Sequence, residues 1–371
     1  MKILHIINSL SYGGVETGVM KLASEQSKNK NYSITILCLG RTLNIRHNEL
    51  PSNITIKNIP IKSNFKIESL NYLGILKFLI LFFLLLKKDK FNLIHSHINL
   101  INAFTLSLSR LFSPKSKFIS NTYTTHNFFK GKYINNFLQG LNKFLSSRLS
   151  DVCASDSQDS WDFCFGEESE NKKIIIPMPI ELINNLEKSK PNISINKDRP
   201  LVIGNIGRHV FQKNQIFLIK LLKKSKQLNF NWKLKIIGSG DLRDDLIRNS
   251  ISSGLIDQIE FIDPISNLDS FYNEIDLFIL PSLSESMPLT ILEAQSFGIR
   301  CVASTNVTKD VAIVPFLVEF VDLDADLNCW IESITNLERK KLDISMIKKF
   351  LLQSQLDIVD ITKRWDKIYN D

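Results

Sequence analysis

Two carboxylates, Glu285 and Glu293, stand with seven residues between them in the run Leu280-Pro281-Ser282-Leu283-Ser284-Glu285-Ser286-Met287-Pro288-Leu289-Thr290-Ile291-Leu292-Glu293-Ala294-Gln295. The apolar stretch Asp276–Leu280 before them reads as a strand, and a helical pattern follows. Ser286 suits the N-cap of that helix, and Pro288 its first turn, where a missing N–H is not needed. The backbone amides at 286–289, near Met287 and Leu289, would then lie free at the positive end of the helix, an anion site. Glu285 falls in the loop and Glu293 about two turns inside the helix, beside Leu289, Ile291 and Leu292. On a solvent-facing helix Glu293 would simply be hydrated; beside these apolar residues it is placed to accept hydrogen bonds from a diol.

Two cations form a second constellation. In Ile203-Gly204-Asn205-Ile206-Gly207-Arg208-His209-Val210-Phe211-Gln212-Lys213-Asn214 a strand ends at Gly207, and Arg208 and Lys213 follow. A turn here would aim both at one anion, the guanidinium gripping oxygens in a fork and the ammonium adding a point charge. The competing reading is an exposed basic loop. The first turn of the chain, Ser9–Thr17, carries Gly13 and Gly14 between a strand and a helix, which lets the backbone come close to a ligand. It is not the G-x-G-x-x-G fingerprint, which disfavours a nicotinamide enzyme.

Among the histidines, His126 follows an apolar strand and a polar turn and is expected to face a cleft, where a neutral imidazole can donate to a ligand hydroxyl; the competing reading is a satisfied structural histidine. His95 and His97 end another strand; one is expected to line an acceptor side and the other to be structural, and with His5 they have no carboxylate company, so zinc is not expected. Asp322-Leu323-Asp324 is read as an acidic turn rather than a metal-binding D-x-D. No carboxylate pair is placed to act in the hydrolase manner.

These residues need strands and helices to hold them. Short apolar runs at 2–8, 33–39, 53–59, 92–96, 117–121, 151–154 and 173–176, then at 200–206, 233–238, 258–262, 276–280, 299–303 and 316–321, alternate with helical patterns. Fully apolar strands each followed by a helix predict parallel βαβ units. The fold class expected is α/β, two doubly wound parallel-sheet (Rossmann-like) domains facing across a cleft: 1–178, a proline-rich linker 179–199, 200–345, and a C-terminal helix 346–371 packing back on the first domain. Ligands in such sheets sit at the carboxyl ends of the strands.

The chain has 371 residues, 44% of them apolar and 23% charged, which excludes a disordered or disulfide-scaffold protein. Five scattered cysteines without a C-x-x-C pair fit a reducing cytoplasm, and the first residues have no signal-peptide anatomy. Residues 1–150 hold 20 Lys/Arg against 5 Asp/Glu, while the remainder holds 26 against 33. From Lys90 to Ser150 there is no acid at all. Such asymmetry points the first half at an anionic surface or substrate, or reflects compositional drift. The run Leu73–Leu86, followed by Lys87, Lys88 and Lys90, is too short to span a hydrocarbon core of roughly 30 Å. It is expected to pack on the sheet, with one apolar face left for lipid.

The motifs together resemble the retaining GT-B glycosyltransferases of group 1, family four. The resemblance rests on the E-x7-E pair Glu285/Glu293, Gly13-Gly14-Val15-Glu16, Ile94-His95-Ser96-His97, Thr125-His126-Asn127, Gly207-Arg208 with Gln212-Lys213-Asn214, Ile237-Gly238-Ser239-Gly240, and Pro281-Ser282 through Gln295, in order along the chain. The segment through Thr305-Asn306-Val307-Thr308 is similar to members that build capsule, exopolysaccharide or O-antigen. The resemblance implies a hexosyltransferase-type activity (EC 2.4) with a nucleotide-sugar, UDP-linked, as co-substrate and a lipid-linked saccharide as acceptor. It implies Arg208 and Lys213 on the diphosphate, Glu293 on the ribose, Glu285 on the sugar hydroxyls, and Ser286, Met287, Pro288 and Leu289 holding sugar and phosphate through their backbone. Gly13 and Gly14 would approach the diphosphate, His126 would contact the sugar, and His97 and Asn127 would lie on the acceptor side. No metal cofactor and no nucleic-acid partner are implied; an anionic membrane surface is, with a cytoplasmic and peripheral location. Oligomeric state is left open. A catalytically silent sugar-binding subunit and a nucleotide-sugar epimerase are the alternatives. Two departures stand out: Ser286 replaces the usual glycine, and Met178-Pro179-Ile180-Glu181 replaces the usual N-G-[IV]-D.

Overall fold

The structure, a computed structural model, describes residues 1–39, 46–59, 72–98, 102–124, 132–165, 167–190, 199–339 and 342–371. The chain divides into two compact units, 1–179 with 358–371, and 180–357.

The first unit runs β1 (Lys2–Ile7), α1 (Gly14–Gln26), β2 (Ser33–Cys38), β3 (Thr55–Asn58), α2 (Tyr72–Asp89), β4 (Leu93–Ser96), α3 (Asn102–Phe112), β5 (Lys117–Thr122), α4 (Lys132–Leu149), β6 (Val152–Ser155), α5 (Gln158–Cys164) and β7 (Lys173–Ile175). Its seven strands lie in the order β3-β2-β1-β4-β5-β6-β7, and every pairing is parallel. Parallel strands are covered on both faces, so they read as unbroken apolar runs. The second unit runs α6 (Leu182–Lys188), β8 (Leu201–Ile206), α7 (Ile216–Gln227), β9 (Trp232–Ile237), α8 (Arg243–Ser252), β10 (Ile259–Ile262), α9 (Asp269–Glu274), β11 (Leu277–Leu280), α10 (Leu289–Ser296), β12 (Arg300–Ser304), β13 (Val318–Val321), α11 (Leu327–Arg339) and α12 (Ile344–Ser354). Its six strands, again all parallel, are ordered β10-β9-β8-β11-β12-β13. All thirteen expected strands are present, with ends within two residues of the apolar runs.

Three segments differ from the sequence reading. The expected linker 179–199 contains α6, which packs on α10 and α12 and is tied to α10 by Asn185 Nδ2 donating to Ser296 Oγ at 2.9 Å; residues 191–198 lie outside the described part. The expected single helix at 346–371 is two. Gln355, left-handed at φ 54°, ends α12, and α13 (Ile358–Asn370) belongs to the first unit. Helix α2 buries Phe82, Leu85 and Leu86 against the sheet but leaves Ile80 and Leu84 exposed. No described helix is long and apolar enough to cross a membrane.

Helix α13 packs beside α1 and buries Trp365 and Tyr369. Arg364 donates to the Ile175 carbonyl at 3.0 Å, and Lys117 donates to that of Ile368. The Trp365 ring centroid stands 4.5 Å from that of His95. Replacing Trp365 by alanine empties a buried aromatic site, so urea denaturation of Trp365→Ala should show the first unit destabilised by about 3–5 kcal/mol.

Candidate functional site

In the second unit the chain leaves β8 outward through β9 to β10, then returns to β11 on the other side of β8 and continues through β12 to β13. This reversal is where open parallel sheets receive ligands, outside the carboxyl ends of the two central strands. The β8–β11 ladder covers only Ile203↔Leu277 and Gly204↔Phe278. Beyond it the strands part, and the side chain of Asn205 bridges the gap by donating to the Ile279 carbonyl at 2.8 Å. Arg208 and Lys213 follow β8; Glu285 and Glu293 follow β11.

The β8 loop is built around a buried histidine. His209 Nδ1 donates to Gln215 Oε1 at 2.7 Å, and Gln215 Nε2 donates to Asn205 Oδ1 at 2.8 Å and to the Gly207 carbonyl at 3.2 Å. On the β9 side, the His209 amide donates to Ser239 O at 2.8 Å and its carbonyl accepts from Leu242 N at 3.1 Å. The approach is so close that a Cβ on Gly238 would sit 2.0 Å from the Gly207 carbonyl oxygen, and one on Gly240 2.6 Å from that of His209. On the β11 side, the Leu283 amide donates to Gln212 O at 2.8 Å, Gln212 Nε2 to Ser284 O at 2.7 Å, and Asn214 Nδ2 to Pro281 O at 3.1 Å. Asn214 itself is left-handed at φ 49°, a conformation Asn tolerates better than most residues. These bonds carry Lys213 onto Glu285, and the two form an ion pair with side chains only 18% and 11% exposed. Arg208 is exposed and makes no ion pair among the described residues.

The β11 loop corrects one expectation. Ser286 does not cap the helix. Glu285 forms a parallel bridge with Val307, the chain bends at Ser286 and Met287, and Pro288 is the N-cap at ψ 111°. The helix therefore begins at Leu289, with no side-chain cap, and Glu293 lies one turn inside it rather than two. Glu293 is buried and accepts from the Tyr272 hydroxyl at 3.1 Å. Burial, together with that carboxylate, pushes the Tyr272 phenol well above its ordinary range, so it stays a donor and fixes the carboxylate. Tyr272, His209 and Gln215 were given no role in the sequence reading, because their partners are brought near only by the folded loops and helices.

Residues 187–314, which hold this whole cluster, match the family model of glycosyl transferases group 1. The chain is a glycosyltransferase carrying a group 1 domain. It is 24% identical, over all of its length and 98% of the relative's, to the capsular polysaccharide biosynthesis glycosyltransferase CapH of Staphylococcus aureus. It is 26% identical to the Escherichia coli UDP-Gal:alpha-D-GlcNAc-diphosphoundecaprenol alpha-1,3-galactosyltransferase, over 79% of this chain and 78% of that one. Among solved structures, Anabaena HepE in complex with UDP aligns over 100% of both chains with a TM-score of 0.73 and 14% identity. The fold is GT-B, two parallel-sheet α/β domains.

In the transferase's first unit, Gly13 is the N-cap of α1 and Gly14 its first residue. The Glu16 carboxylate folds over this turn, and a Cβ on Gly13 would meet its Oε2 at 2.1 Å. His126 and Asn127 lie outside the described residues. His97 is buried, not open to solvent: its Nδ1 accepts from the Tyr123 hydroxyl at 2.7 Å, and its Nε2 meets His5 Nδ1 at 3.0 Å. His5 Nε2 meets Gln26 Oε1 at 3.0 Å, and His95 Nδ1 meets the Tyr369 hydroxyl at 2.7 Å. A single set of neutral tautomers satisfies this chain, with Gln26 Oε1 accepting from His5 Nε2–H and His5 Nδ1 accepting from His97 Nε2–H. The three histidines are the described residues whose ligand atoms come within 4.8 Å of one another, but the hydrogen bonds already occupy their ring nitrogens.

Two measurements follow. Lys213→Ala and Glu285→Ala each leave a partly buried charge alone, so each should destabilise the second unit by about 1–3 kcal/mol. The double variant should cost less than the sum, a coupling that a double-mutant cycle in urea reads directly. For the histidines, burial lowers the His5 pKa to about 4 and moves His95 and His97 the same way. A depressed imidazole pKa means the unfolded chain binds the proton first. Stability should therefore be full above pH 6.5 and fall between pH 6.5 and 4, by about 3 kcal/mol from His5. His5→Gln should flatten that slope in a pH series of urea melts.

Proposed function

We propose that the transferase moves a glycosyl group from a nucleotide-sugar, a UDP-sugar, to a lipid-linked saccharide in the synthesis of a surface polysaccharide, on the cytoplasmic side, retaining the donor's anomeric configuration and using no metal ion. The observation that carries this reading is the Lys213–Glu285 pair at the strand reversal, with exposed Arg208 in the same β8 loop as Lys213 and the start of α10 at Leu289 following Glu285 in the chain. In this pair the two charges neutralise each other. A nucleotide-sugar offers each a better partner: diphosphate oxygens for Lys213 and Arg208, and sugar hydroxyls for Glu285. Glu293, pre-aimed by Tyr272, takes the ribose diol.

Breaking the sugar–phosphate bond places negative charge on the leaving diphosphate. Guanidinium, ammonium and the backbone N–H groups of Ser286, Met287 and Leu289 stabilise that charge where it develops, and one such donor supplies on the order of 3 kcal/mol. Same-face attack then lets a leaving phosphate oxygen accept the acceptor hydroxyl's proton. Gly13 and Gly14 would approach the diphosphate and His126 the donor sugar, with His97 and Asn127 assigned to the acceptor side; the buried, engaged state of His97 makes it a positioning residue there, acting through Tyr123. The D-x-D at 322–324 supports the metal-free reading, since Asp322 is spent on its own turn: its Oδ1 accepts from Asp324 N at 2.8 Å and its carbonyl from Trp330 Nε1 at 2.9 Å. The Escherichia coli relative's name specifies a UDP-sugar and a diphosphoundecaprenol acceptor, and HepE was solved with UDP, which supports the same choice of donor and acceptor classes.

Purified protein, a panel of labelled nucleotide-sugars and a membrane lipid extract test the proposal. One donor should label the lipid fraction in the presence of EDTA, with the anomeric configuration kept by NMR. Arg208→Ala and Lys213→Ala should each lower kcat/KM about a hundredfold or more. No transfer from any donor, or full turnover after both replacements, would overturn it.

A further inference from the structure

One side chain on the Lys213 loop has no part in the proposed donor site. Phe211 begins the single 3-10 turn Phe211–Lys213 and is 80% exposed, more than any other large apolar side chain among the described residues. It has no ring or cation partner among them. Folding gains little from a phenyl ring left in water, and a polar residue would serve a bare surface loop as well. The backbone that carries the ring is nevertheless fixed. The Lys213 amide donates to the Val210 carbonyl at 3.1 Å and the Asn214 amide to that of Phe211 at 3.1 Å, which closes the turn. Gln212, the next residue, is bonded to the β11 loop through both its carbonyl and its side chain. Its carbonyl accepts from the amide of Leu283, a half-buried residue two positions before Glu285. The turn that presents Phe211 is thereby held against the loop that presents Glu285.

A surface apolar residue elsewhere needs no explanation; this one stands two residues from Lys213. Sugar rings are held in two ways at once. Their hydroxyls bond to charged and polar groups, and the C–H face of a pyranose lies against the electron-rich face of an aromatic ring. Lys213 and Glu285 are groups of the first kind, and Phe211 is one of the second. We propose that Phe211 is a stacking platform for the sugar ring of the acceptor saccharide. The inference rests on the proposed function, which sets the order of groups along the site: ribose on Glu293, diphosphate on Arg208 and Lys213, donor sugar on Glu285. In same-face attack the acceptor hydroxyl comes in on the side of the leaving phosphate, because a phosphate oxygen takes its proton. The acceptor ring therefore arrives beside the groups that hold the diphosphate. Phe211 lies between those two cations in the chain and opens to solvent, where that ring enters. The donor sugar belongs instead to Glu285, whose side chain is only 11% exposed. The nucleobase follows the ribose, on the far side of it from the diphosphate.

Steady-state kinetics on the full chain, with the membrane lipid extract as acceptor and the nucleotide-sugar that labels it as donor, test the assignment. Phe211→Ala should raise the apparent KM for the extract about tenfold, while the donor KM and the thermal shift with UDP stay as in the parent. Phe211→Tyr keeps the aromatic face and should hold the parent's KM. Phe211→Leu, apolar without that face, should behave as the alanine variant does. An unchanged KM for the extract in Phe211→Ala would overturn the proposal, as would a parent-like KM in Phe211→Leu. A raised donor KM or a lost UDP shift would put the ring on the donor and overturn it too. A second measurement does not depend on turnover. Saturation-transfer NMR with methyl α-glucoside, methyl α-galactoside and methyl N-acetyl-α-glucosaminide, UDP being present, should show transfer from the parent to at least one of them. That transfer should vanish in Phe211→Ala and persist in Phe211→Tyr. If no donor labels the lipid fraction, the proposed activity falls and this measurement alone decides the platform: saturation transfer that is absent, or independent of Phe211, would overturn it.

Discussion

The Lys213–Glu285 ion pair is the contact on which the second unit's site depends. Neither residue reaches the other through its own strand. The loop after β8 is bonded to the loop after β9 through His209 and Ser239, and to the loop after β11 through Gln212, Asn214 and Leu283, so that the ammonium and the carboxylate share one place at the strand reversal. A charge pair less than a fifth exposed carries a desolvation penalty that its mutual attraction only partly offsets. Under the proposed function this pair exchanges partners for a ligand that brings both an anion and hydroxyl groups, and preorganised charge of this kind would stabilise a leaving group because its orientation is settled before reaction.

The first unit settles its polar interior differently. Three histidines lie together where β1 and β4 pair, and each ring is linked to a neighbour: His5 to Gln26 of α1, His97 to Tyr123, His95 to Tyr369 of α13. Burial keeps the imidazoles neutral, and neutral rings can alternate donor and acceptor along a chain. Helix α13 thus closes over the sheet with both aromatic packing and a specific polar contact, which ties the last residues of the chain to the first unit.

Much of the architecture was legible in the residues. Parallel strands covered on both faces must be apolar throughout, so each of the thirteen announced itself, and their rhythm with helices implied two doubly wound sheets. The candidate charges were legible too, since Glu285, Glu293, Arg208 and Lys213 each follow a strand that points its carboxyl end at a ligand site. Less legible were the places where a distant bond overrides local preference. Ser286 is a good N-cap by type, but Glu285 is bridged to Val307 and the helix starts only after a bend at Ser286 and Met287, with Pro288 as its N-cap. The proline-rich stretch after Pro177 still yields a helix at Leu182–Lys188, because α10 and α12 offer it a surface to bury against.

The sequence by itself determined the strand content, the residue types at the proposed donor site and the acid-free basic stretch, because apolar periodicity and charge are local properties of the chain. Only the tertiary structure decided which charges meet. It set Lys213 on Glu285 and Tyr272 on Glu293, held Gly238 against Gly207, joined His5 to His97 and His95 to Tyr369 by hydrogen bonds, and left Ile80, Leu84 and Leu111 in solvent while burying their neighbours. Each of these pairs residues from different strands or helices, and sheet order and register, which bring them together, are not encoded in any one segment.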